Sequence, residues 1–399
     1  MAVIDTAEMR PPRLVVGPLA WLRKNLFSTW YNVALTLLAA WLLYLFLKPA
    51  LEWATTEARW GVIEANLTLF MVGQYPREQL GRVWLSIFIL AALIGLSWGV
   101  WKNAARGFAL IALGAGVAFL LIALFFGWDV WVEWLIAIAS LLVFYGIGLY
   151  LPRGNLIAGA AWFLYFPLLF FLIAGNPYIA TLPPVPSNLW GGLLLTLLLT
   201  IVGNFGALPL GILLALGRRS KLPVIRYFSI GFIELIRGVP LITILYMAAV
   251  LLPYFLPLDF RPDQVVRAMI GFIIFEAAYQ AENVRGGLQS IDRGQYEASH
   301  ALGLNGAQTT VLIILPQALR AVVPALFNSF ISLFKDTSLV AIIGLFEIVR
   351  IARSILAQSD WLGTHREVFL FAFVIYWAFN LAFTYGSRRV EEALGVGKR

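Results

Sequence analysis

The stretch of sequence that decides the fold runs from Gln295 to Pro316 and reads QYEASHALGLNGAQTTVLIILP. It is a polar interruption between two apolar parts of the chain. Its first eight residues suit a short helix along a membrane face, because Gly303 follows them and glycine commonly ends helices. One face of this helix would carry small apolar side chains beside a carboxylate, namely Ala298, Ala301, Leu302 and Glu297. A short helix with such a shallow face suits docking into a groove on another protein.

The sequence on either side of this stretch is typical of membrane-spanning helices. Hydrophobic residues form 61% of the chain, charged residues form 13%, and the mean hydropathy is +0.85. Soluble domains average about 45–50% apolar and about 25% charged residues, so the excess apolar surface must face lipid. A span needs roughly 20 mostly apolar residues. The candidate spans are near Tyr31–Leu47, Val83–Val100, Gly107–Phe126, Trp131–Leu149, Leu156–Ala174, Leu189–Leu216, Tyr227–Leu252, Val265–Tyr279, Val311–Phe334 and Val368–Phe383. The sequence thus predicts an all-α polytopic membrane protein with about ten transmembrane helices.

Basic residues beside the spans predict the orientation of the chain. With the N-terminus in the cytoplasm, the inside segments hold 17 Lys and Arg residues and the outside segments hold 8. An even number of spans then places both termini in the cytoplasm. The same distribution accounts for the net charge of +8. Since no basic stripe with interleaved aromatic residues is present, we expect no nucleic-acid partner.

The chain divides into two halves near a proline-rich loop at residues 176–188. Residues 1–187 hold five plain apolar spans and a polar outside loop, residues 49–82, which suits a small cap or an interfacial helix. Residues 188–399 hold the other five spans, and ionisable residues interrupt them. A charge at bilayer depth costs at least about 2.5–3.5 kcal/mol on insertion scales and usually faces a partner or an aqueous path. The second half is therefore where we expect the function to lie.

The residue types exclude several kinds of chemistry. The chain has no cysteine and only two histidines, His300 and His365. Thiol chemistry is therefore excluded, and neither a metal site nor a histidine-centred acid–base pair is expected. The chain also lacks the phosphate-binding loop of nucleotide hydrolases, so any ATP must be hydrolysed by another polypeptide. We expect a protein that is not an enzyme and that binds no cofactor itself.

Several segments resemble a known family of transporters. Residues 291–317 resemble the Glu-Ala-Ala loop of ABC importer permeases, with the glycine six residues after the glutamate and an Ile-x-Leu-Pro ending. Ser299 replaces the usual third alanine, a small-for-small change that we expect to be tolerated. Phe232–Pro240, Ala277–Gly287 and Lys335–Leu339 resemble segments of the polar amino-acid subfamily. The five-span extension looks like that of the M-type permease subunit of bacterial general L-amino-acid importers.

This resemblance implies a fold, a function and partners. Residues 188–399 would form a five-helix ABC permease core, and residues 1–187 a five-helix N-terminal extension. The core would move L-amino acids from a periplasmic binding protein across the bacterial inner membrane. Two cytoplasmic ATPase subunits would hold ATP and Mg²⁺, and a second homologous permease, in a heterodimer by preference, would complete the pathway. The coupling residues would be Gln295, Glu297, Ala298, Ser299, Ala301, Leu302, Gly303 and Pro316.

Charged residues of the second half are candidates for the substrate pathway. An amino-acid zwitterion needs a cation and an anion fixed a few ångströms apart, where a low dielectric strengthens both contacts. Lys335 and Asp336 supply both signs. Glu234 and Arg237, like Glu282 and Arg285, are three residues apart and would face one side of a helix. Each such pair would alternatively only neutralise buried charge. The predicted pathway comprises Lys335, Asp336, Thr337, Ser338, Glu234, Arg237, Gln280 and Glu282.

A transporter of another class remains an alternative at this point. A proton- or Na⁺-coupled secondary transporter would use the carboxylates Glu234, Glu276, Glu282 and Asp336 as a relay. Such transporters often contain inverted repeats and broken helices near the bilayer midplane. No clear repeat relates the two halves of the chain, and the loop at residues 291–317 would then have no role.

Overall fold

The computed structural model describes residues 17–257 and 262–395. Within these ranges the regular structure is helical, and two isolated β-bridges are the only strand-like pairings. The basic residues of the charge count that lie outside the described residues are Arg10, Arg13, Arg261, Lys398 and Arg399. The chain separates into two compact units, Met1–Gly61 and Val62–Arg399.

The first unit, described from residue 17, contains α1 (Pro18–Asn25) and α2 (Trp30–Glu52). No residue of α2 is buried, which suits a helix that faces lipid. The sequence predicted that this span ends before a loop at residue 49. The structure instead continues α2 through Pro49 and into a π-helical turn, Trp53–Glu57. Proline removes only one hydrogen bond, and Lys48 and Glu52 form an ion pair across it at 3.7 Å.

The second unit begins with five helices of the extension. They are α3 (Gly61–Val72), α4 (Leu80–Trp101), α5 (Asn103–Phe126), α6 (Trp131–Tyr150) and α7 (Gly154–Ala174). Glycines allow α4 and α6 to pack closely, because a Cβ atom on Gly95 would lie 2.0 Å from the Leu141 carbonyl oxygen. Such contacts between small residues are a usual means of association for membrane helices.

The described part of the second half contains ten α-helices. They are α8 (Gly192–Arg218), α9 (Pro223–Gly238), α10 (Leu241–Tyr246), α11 (Leu252–Phe255), α12 (Gln264–Gln289), α13 (Arg293–Ala301), α14 (Gly306–Gln308), α15 (Leu315–Asp336), α16 (Ile348–Leu356) and α17 (His365–Leu394). Helices α8, α9, α10 and α15 pack against α12. Helix α12 packs against α8 at Gly211 and against α15 at Gly287, where added Cβ atoms would lie 2.9 Å from the Gln280 Cβ and 2.5 Å from a Val322 methyl group.

The seventh predicted span, Tyr227–Leu252, is not one continuous helix. Helix α9 and the segment Leu241–Phe255 meet at an angle of 104°. Pro240 lacks an N–H group and disfavours helical backbone at the residue before it. Val239 accordingly has extended φ and ψ angles of −109° and 134°. The predicted span Tyr227–Leu252 is therefore broken at Val239 and Pro240.

The described residues agree with a count of about ten spans. Eight helices are long and apolar enough to cross a membrane, and the number reaches nine when the bent pair is counted as one span. Helix α12 has the necessary length, 26 residues, but its polar side chains keep it outside the group defined by hydropathy. Its polar side chains Gln280 and Asn283 bond to α8 and α15, and the predicted span Val265–Tyr279 lies within this helix.

The end of the predicted outside loop forms a cap on the second half. Helix α3 packs on α16 and α17, where the rings of Phe70 and Phe371 are 4.9 Å apart. Beyond α3, the Gly191 N–H donates to the Val72 carbonyl oxygen at 3.2 Å, and the Gly192 N–H donates to that of Phe346 at 2.8 Å. The extension and the second half thus share a packed junction. Their division at residues 187 and 188 stays a prediction.

Candidate functional site

Helix α13 forms because its two ends are capped. The Asp292 side chain accepts a hydrogen bond from the Gly294 N–H at 2.6 Å at the N-terminus. At the C-terminus Gly303 has a φ of +76°, and the N–H of Leu304 donates to the Ser299 carbonyl oxygen at 3.1 Å. This is the Schellman arrangement, in which glycine supplies the left-handed residue. The helix ends one turn before the point where the chain enters α14.

The predicted docking face of α13 is exposed. Ala298, Ala301 and Leu302 lie at i, i+3 and i+4 and face away from the protein, and Leu302 is 79% exposed. Glu297 is exposed beside them. Gln295 is also exposed and accepts a hydrogen bond from the Gln317 amide at 3.2 Å, which ties α13 to the start of α15. The structure therefore presents a small apolar surface rimmed by polar groups.

The opposite face of α13 is held to the helices that cross the membrane. Ser299 is buried, and its hydroxyl is 3.1 Å from the Thr309 hydroxyl. The Tyr296 hydroxyl accepts hydrogen bonds from Arg219 at 3.3 and 3.4 Å. Arg219, the residue after α8, also donates to the carbonyl oxygen of Leu288, near the end of α12, at 3.4 Å. Arg219 thus links α13 to the ends of α8 and α12.

The segment after α13 is stiff. Asn305 and Gln308 form a capping box, with reciprocal bonds of 2.9 and 3.0 Å. A π-helical turn, Thr309–Ile314, then leads into α15. Pro316 lies in the first turn of α15, where a missing N–H is tolerated. The loop thus connects α13 to α15 without an unstructured break.

A charged cluster joins α8, α9 and α12 near the α13 end of the bundle. Glu282 contacts the guanidinium groups of Arg218 at 2.9 Å, Arg285 at 2.8 Å and Arg237 at 3.8 Å. Arg218 also pairs with Glu234 at 3.0 Å. We call these five residues the charged cluster. Three cations surround two anions, so the cluster keeps one positive charge.

The predicted pairings within this cluster differ in outcome. Glu282 and Arg285 pair as their spacing predicted. Glu234 and Arg237 share a flank of α9, but they bind Arg218 and Glu282 rather than each other. Arg237 also lies over the ring of Tyr279, 5.5 Å from its centroid. The sequence did not indicate Arg218, which was counted only as a basic residue of a loop. Its position at the end of a span was the available signal.

The residues of the predicted site at Lys335–Ser338 differ in their exposure. Helix α15 ends at Asp336, and a 3-10 turn, Thr337–Ala341, follows. Lys335 is exposed, whereas Asp336 is half-buried. The Thr337 side chain is buried, and its hydroxyl donates to the Phe334 carbonyl oxygen at 2.7 Å. Thr337 therefore stabilises the helix end, and the role of the other residues in binding substrate stays a prediction.

A buried polar stripe on α12 connects this region to α8. Glu276, Gln280 and Asn283 lie at i, i+4 and i+7 on α12. The Gln280 amide donates to the Asn204 carbonyl oxygen at 3.2 Å, and Asn283 donates to the Ser329 hydroxyl at 3.3 Å. Glu276 is buried and lies within electrostatic range of Asp336. Gln280 was predicted, whereas Asn204, Asn283 and Ser329 were missed because single polar residues within apolar runs gave a weak signal.

The described residues contain no group of three or more histidine, aspartate or glutamate side chains placed to hold a metal ion.

Comparison with known proteins adds a family to this geometry. Residues 207–395 match the family described as binding-protein-dependent transport system inner membrane component. The chain is 39% identical over 396 residues to the inner membrane amino-acid ABC transporter permease protein YhdY of Escherichia coli, and the match covers 95% of this chain and 94% of that protein.

Two further relatives differ in length. The chain is 36% identical to the glutamate/glutamine/aspartate/asparagine transport system permease protein BztC of Rhodobacter capsulatus, and 97% of each chain is covered. It is 39% identical to the glutamate/aspartate import permease protein GltK of Escherichia coli, over 50% of this chain and 90% of that protein. The two long relatives thus match the extension and the second half together, whereas the short relative matches half of the chain.

Proposed function

Because the chain belongs to the family of amino-acid ABC transporter permeases, we propose that it imports L-amino acids through a pathway of which it forms one half. The chain is a multi-pass permease subunit of the bacterial inner membrane and is not itself an enzyme. ATP and Mg²⁺ would be held by two partner ATPase subunits in the cytoplasm. A periplasmic binding protein would deliver the substrate on the other side.

The exposed face of α13 is the observation that supports this proposal most directly. Its small side chains leave room for close approach by a partner, while Ser299 and Tyr296 fix the rear of the helix. A flexible loop would not transmit the motion of the ATPase to the permease, because the loop itself would deform. Helix α13 is instead tied to α8 and α12 through Arg219. ATP-driven closure of the motor would therefore move α13 and the bundle together.

The charged cluster and the buried polar stripe are our candidates for the pathway. Amino-acid names of the relatives, such as glutamate and aspartate for GltK, support a zwitterionic or anionic cargo. The cluster carries one more guanidinium than it has carboxylates, which suits transient contact with a substrate carboxylate. Lys335 and Asp336 remain the proposed outer contacts. A carboxylate relay of the kind used by secondary transporters is less well supported, because Glu282 forms ion pairs with three guanidinium groups.

The assembly and the orientation are part of the same proposal. A chain with one docking helix needs a second permease to engage the second ATPase subunit. We propose that this second permease is a homologous chain, so that the pair is a heterodimer. The pathway needs the second half of each chain, and it does not require that both chains carry the long N-terminal extension. Both termini would lie in the cytoplasm, the side on which α13 meets the motor.

A docking variant tests the proposal. Leu302→Glu places a charge on the face of α13, and we expect it to weaken binding of the ATPase about 30-fold or more, as for a central contact of an interface. Leu362→Glu is the matched control, because Leu362 is 62% exposed and lies in the loop before α17. Binding is measured by retention of the ATPase on the immobilised permease. Equal retention by both variants would contradict the docking role.

Transport in vesicles tests the class of transporter. Proteoliposomes that contain the permease pair, the ATPase and the binding protein should accumulate labelled amino acid only when ATP is enclosed. Uptake that persists without ATP and without the binding protein, and that follows a proton or Na⁺ gradient, would support the secondary transporter instead.

A further inference from the structure

Helix α9 leaves an apolar stripe exposed on the side that faces away from the protein. Val224, Phe228 and Leu235 are 81%, 67% and 68% exposed. They lie at helical spacing along one side of α9. On the opposite side Ser229 and Ile233 are buried against the bundle. The side chains of this stripe are therefore not buried by any other part of the described chain.

The bend of the broken span determines where this stripe lies. Helix α9 is bent by 104° from the segment Leu241–Phe255, and its residues Ile225 and Glu234 both lie at the last two residues of the span α8. A helix at nearly a right angle to a membrane-crossing segment runs close to the bilayer plane. Helix α9 also passes the end of α8, where a Cβ atom on Gly217 would meet Ile225 and Ser229. It therefore lies at one membrane surface, with its outer side directed toward lipid.

The turn that leads into α9 is strongly basic. Residues 218–226 include four cations, Arg218, Arg219, Lys221 and Arg226, and no acidic residue occurs between residues 218 and 233. Arg218 and Arg219 are engaged by Glu282 and Tyr296. Lys221 and Arg226 are exposed and form no ion pair with any residue in the described ranges. Lys221 thus precedes the stripe in the α8–α9 turn, and Arg226 lies on the opposite, polar side of the first turn of α9.

We propose that the α8–α9 turn and the outer side of α9 form a binding surface for anionic phospholipid. Lys221 and Arg226 contact the phosphate groups of the lipid, and the stripe of α9 inserts among the acyl chains. Amphipathic helices with basic polar sides bind anionic membranes in this manner. Tyr227, which is also exposed, is of the type that prefers the headgroup level. A protein partner would cover the stripe equally well but would leave the two cations at the lipid level without counter-charges.

This surface is connected to the broken span. Arg226, Glu234 and Arg237 lie along one flank of α9 at helical spacing. Two of them belong to the charged cluster, and Pro240 follows at the break. The charged cluster attaches α9 to α8 and α12. Lipid bound along α9 would therefore stabilise the position of α9, which is the first half of the broken span. Lipid binding at this surface does not depend on which substrate is carried.

The absence of cysteine in the chain makes a depth measurement direct. Phe228→Cys carries a nitroxide spin label in the assembled importer, reconstituted in phosphatidylglycerol and phosphatidylcholine vesicles. We expect collisions with oxygen to dominate over collisions with a water-soluble nickel complex, because oxygen concentrates in the acyl region. Preference for the nickel complex would show a stripe in water. Protection from both reagents would show a protein partner. Either result overturns the proposal.

Lipid affinity gives an independent test that does not alter the stripe. In the Lys221→Gln/Arg226→Gln variant we expect the affinity for phosphatidylglycerol to fall about 30-fold, since each basic side chain near an anionic surface contributes about a fivefold factor. The charge-matched control is Lys102→Gln/Arg106→Gln, because both residues are exposed at the start of α5. Binding is counted by native mass spectrometry in titrations with phosphatidylglycerol and phosphatidylcholine. An equal loss in both variants, or no loss in the first, overturns the proposal.

Discussion

Glu282 carries most of the stabilising effect of the charged cluster, and Glu282→Gln should remove it. Its side chain is only 17% exposed and contacts three guanidinium groups. The amide keeps the shape of the side chain but removes the charge, so three cations remain beside Glu234 alone. Breaking a buried ion pair costs about 3–5 kcal/mol. Since this site is partly open to water, we expect a loss of about 3 kcal/mol in the free energy of unfolding.

Glu234→Gln is the matched control for this prediction. It makes the same chemical change in the same cluster, but Glu234 is 56% exposed and pairs with Arg218 alone. Exposed ion pairs contribute about 0.2–1 kcal/mol. The two variants should therefore differ by about 2 kcal/mol, and this difference depends on burial and on the number of partners.

Unfolding of the purified permease by increasing SDS, followed by circular dichroism, measures both losses. Arg285→Gln added to Glu282→Gln should restore part of the stability, because it removes one of the unpaired cations. A double-mutant cycle then gives the coupling energy of the pair. Equal losses from Glu282→Gln and Glu234→Gln, or no recovery on removal of Arg285, would refute the reasoning.

Three further predictions follow from single positions. Gly73→Ala should lower the free energy of unfolding by about 3 kcal/mol, because φ is +67° and the new Cβ would lie 2.4 Å from the Gly191 Cα. Gly114→Ala, which meets nothing within 4 Å, should change the same quantity by less than about 1 kcal/mol and in the stabilising direction. Ser299→Ala should cost about 1 kcal/mol through its lost hydrogen bond, whereas Ser299→Leu should cost about 3 kcal/mol and also weaken ATPase retention. Burial raises the pKa of Glu347, which lies outside the spans, to about 7. The folded state therefore holds this proton more tightly than the unfolded state, so stability should be greatest below about pH 4.5 and decline as the pH rises through 7. Glu347→Gln should abolish this decline in SDS unfolding measured at several pH values.

The sequence predicted the membrane-spanning helices well because their cause is local. A run of apolar residues long enough to cross the bilayer has no stable alternative in water, and the structure contains a helix at each predicted position. Pro49 shows the limit of such reasoning. The sequence predicts a loop from this residue, but α2 passes through it because one lost hydrogen bond does not outweigh a continuing helix.

The broken span shows a different limit. Pro240 was visible in the sequence, and so was the resemblance of its segment to the polar amino-acid permeases, which the comparisons confirm. The angle of 104° was not predictable. It depends on where Ile233 finds a buried position against α8 and α12, and no pattern within α9 contains that information.

The coupling loop was predicted in more detail than the pathway. Helix α13 is defined by its own residues, since Asp292 and Gly303 cap it and Ala298, Ala301 and Leu302 must share a face. Its docking role stays a prediction until a partner is tested. The burial of Ser299 was not predicted, because it requires Thr309, which a turn of different geometry would have placed elsewhere.

The helices, their apolar surroundings and the short helix at residues 293–301 follow from local sequence, because apolar runs, caps and charges act over a few neighbouring residues. Which charges meet depends on how distant segments pack. Arg218 and Glu282 are 64 residues apart in the chain and 2.9 Å apart in space. Spacing along α9 favoured a contact between Glu234 and Arg237, yet the packing of α9 on α8 and α12 places Arg218 beside Glu234 and Glu282 beside Arg237. Ion pairs in such a place depend on the distance between helices, and that distance is set by the packing of the whole bundle.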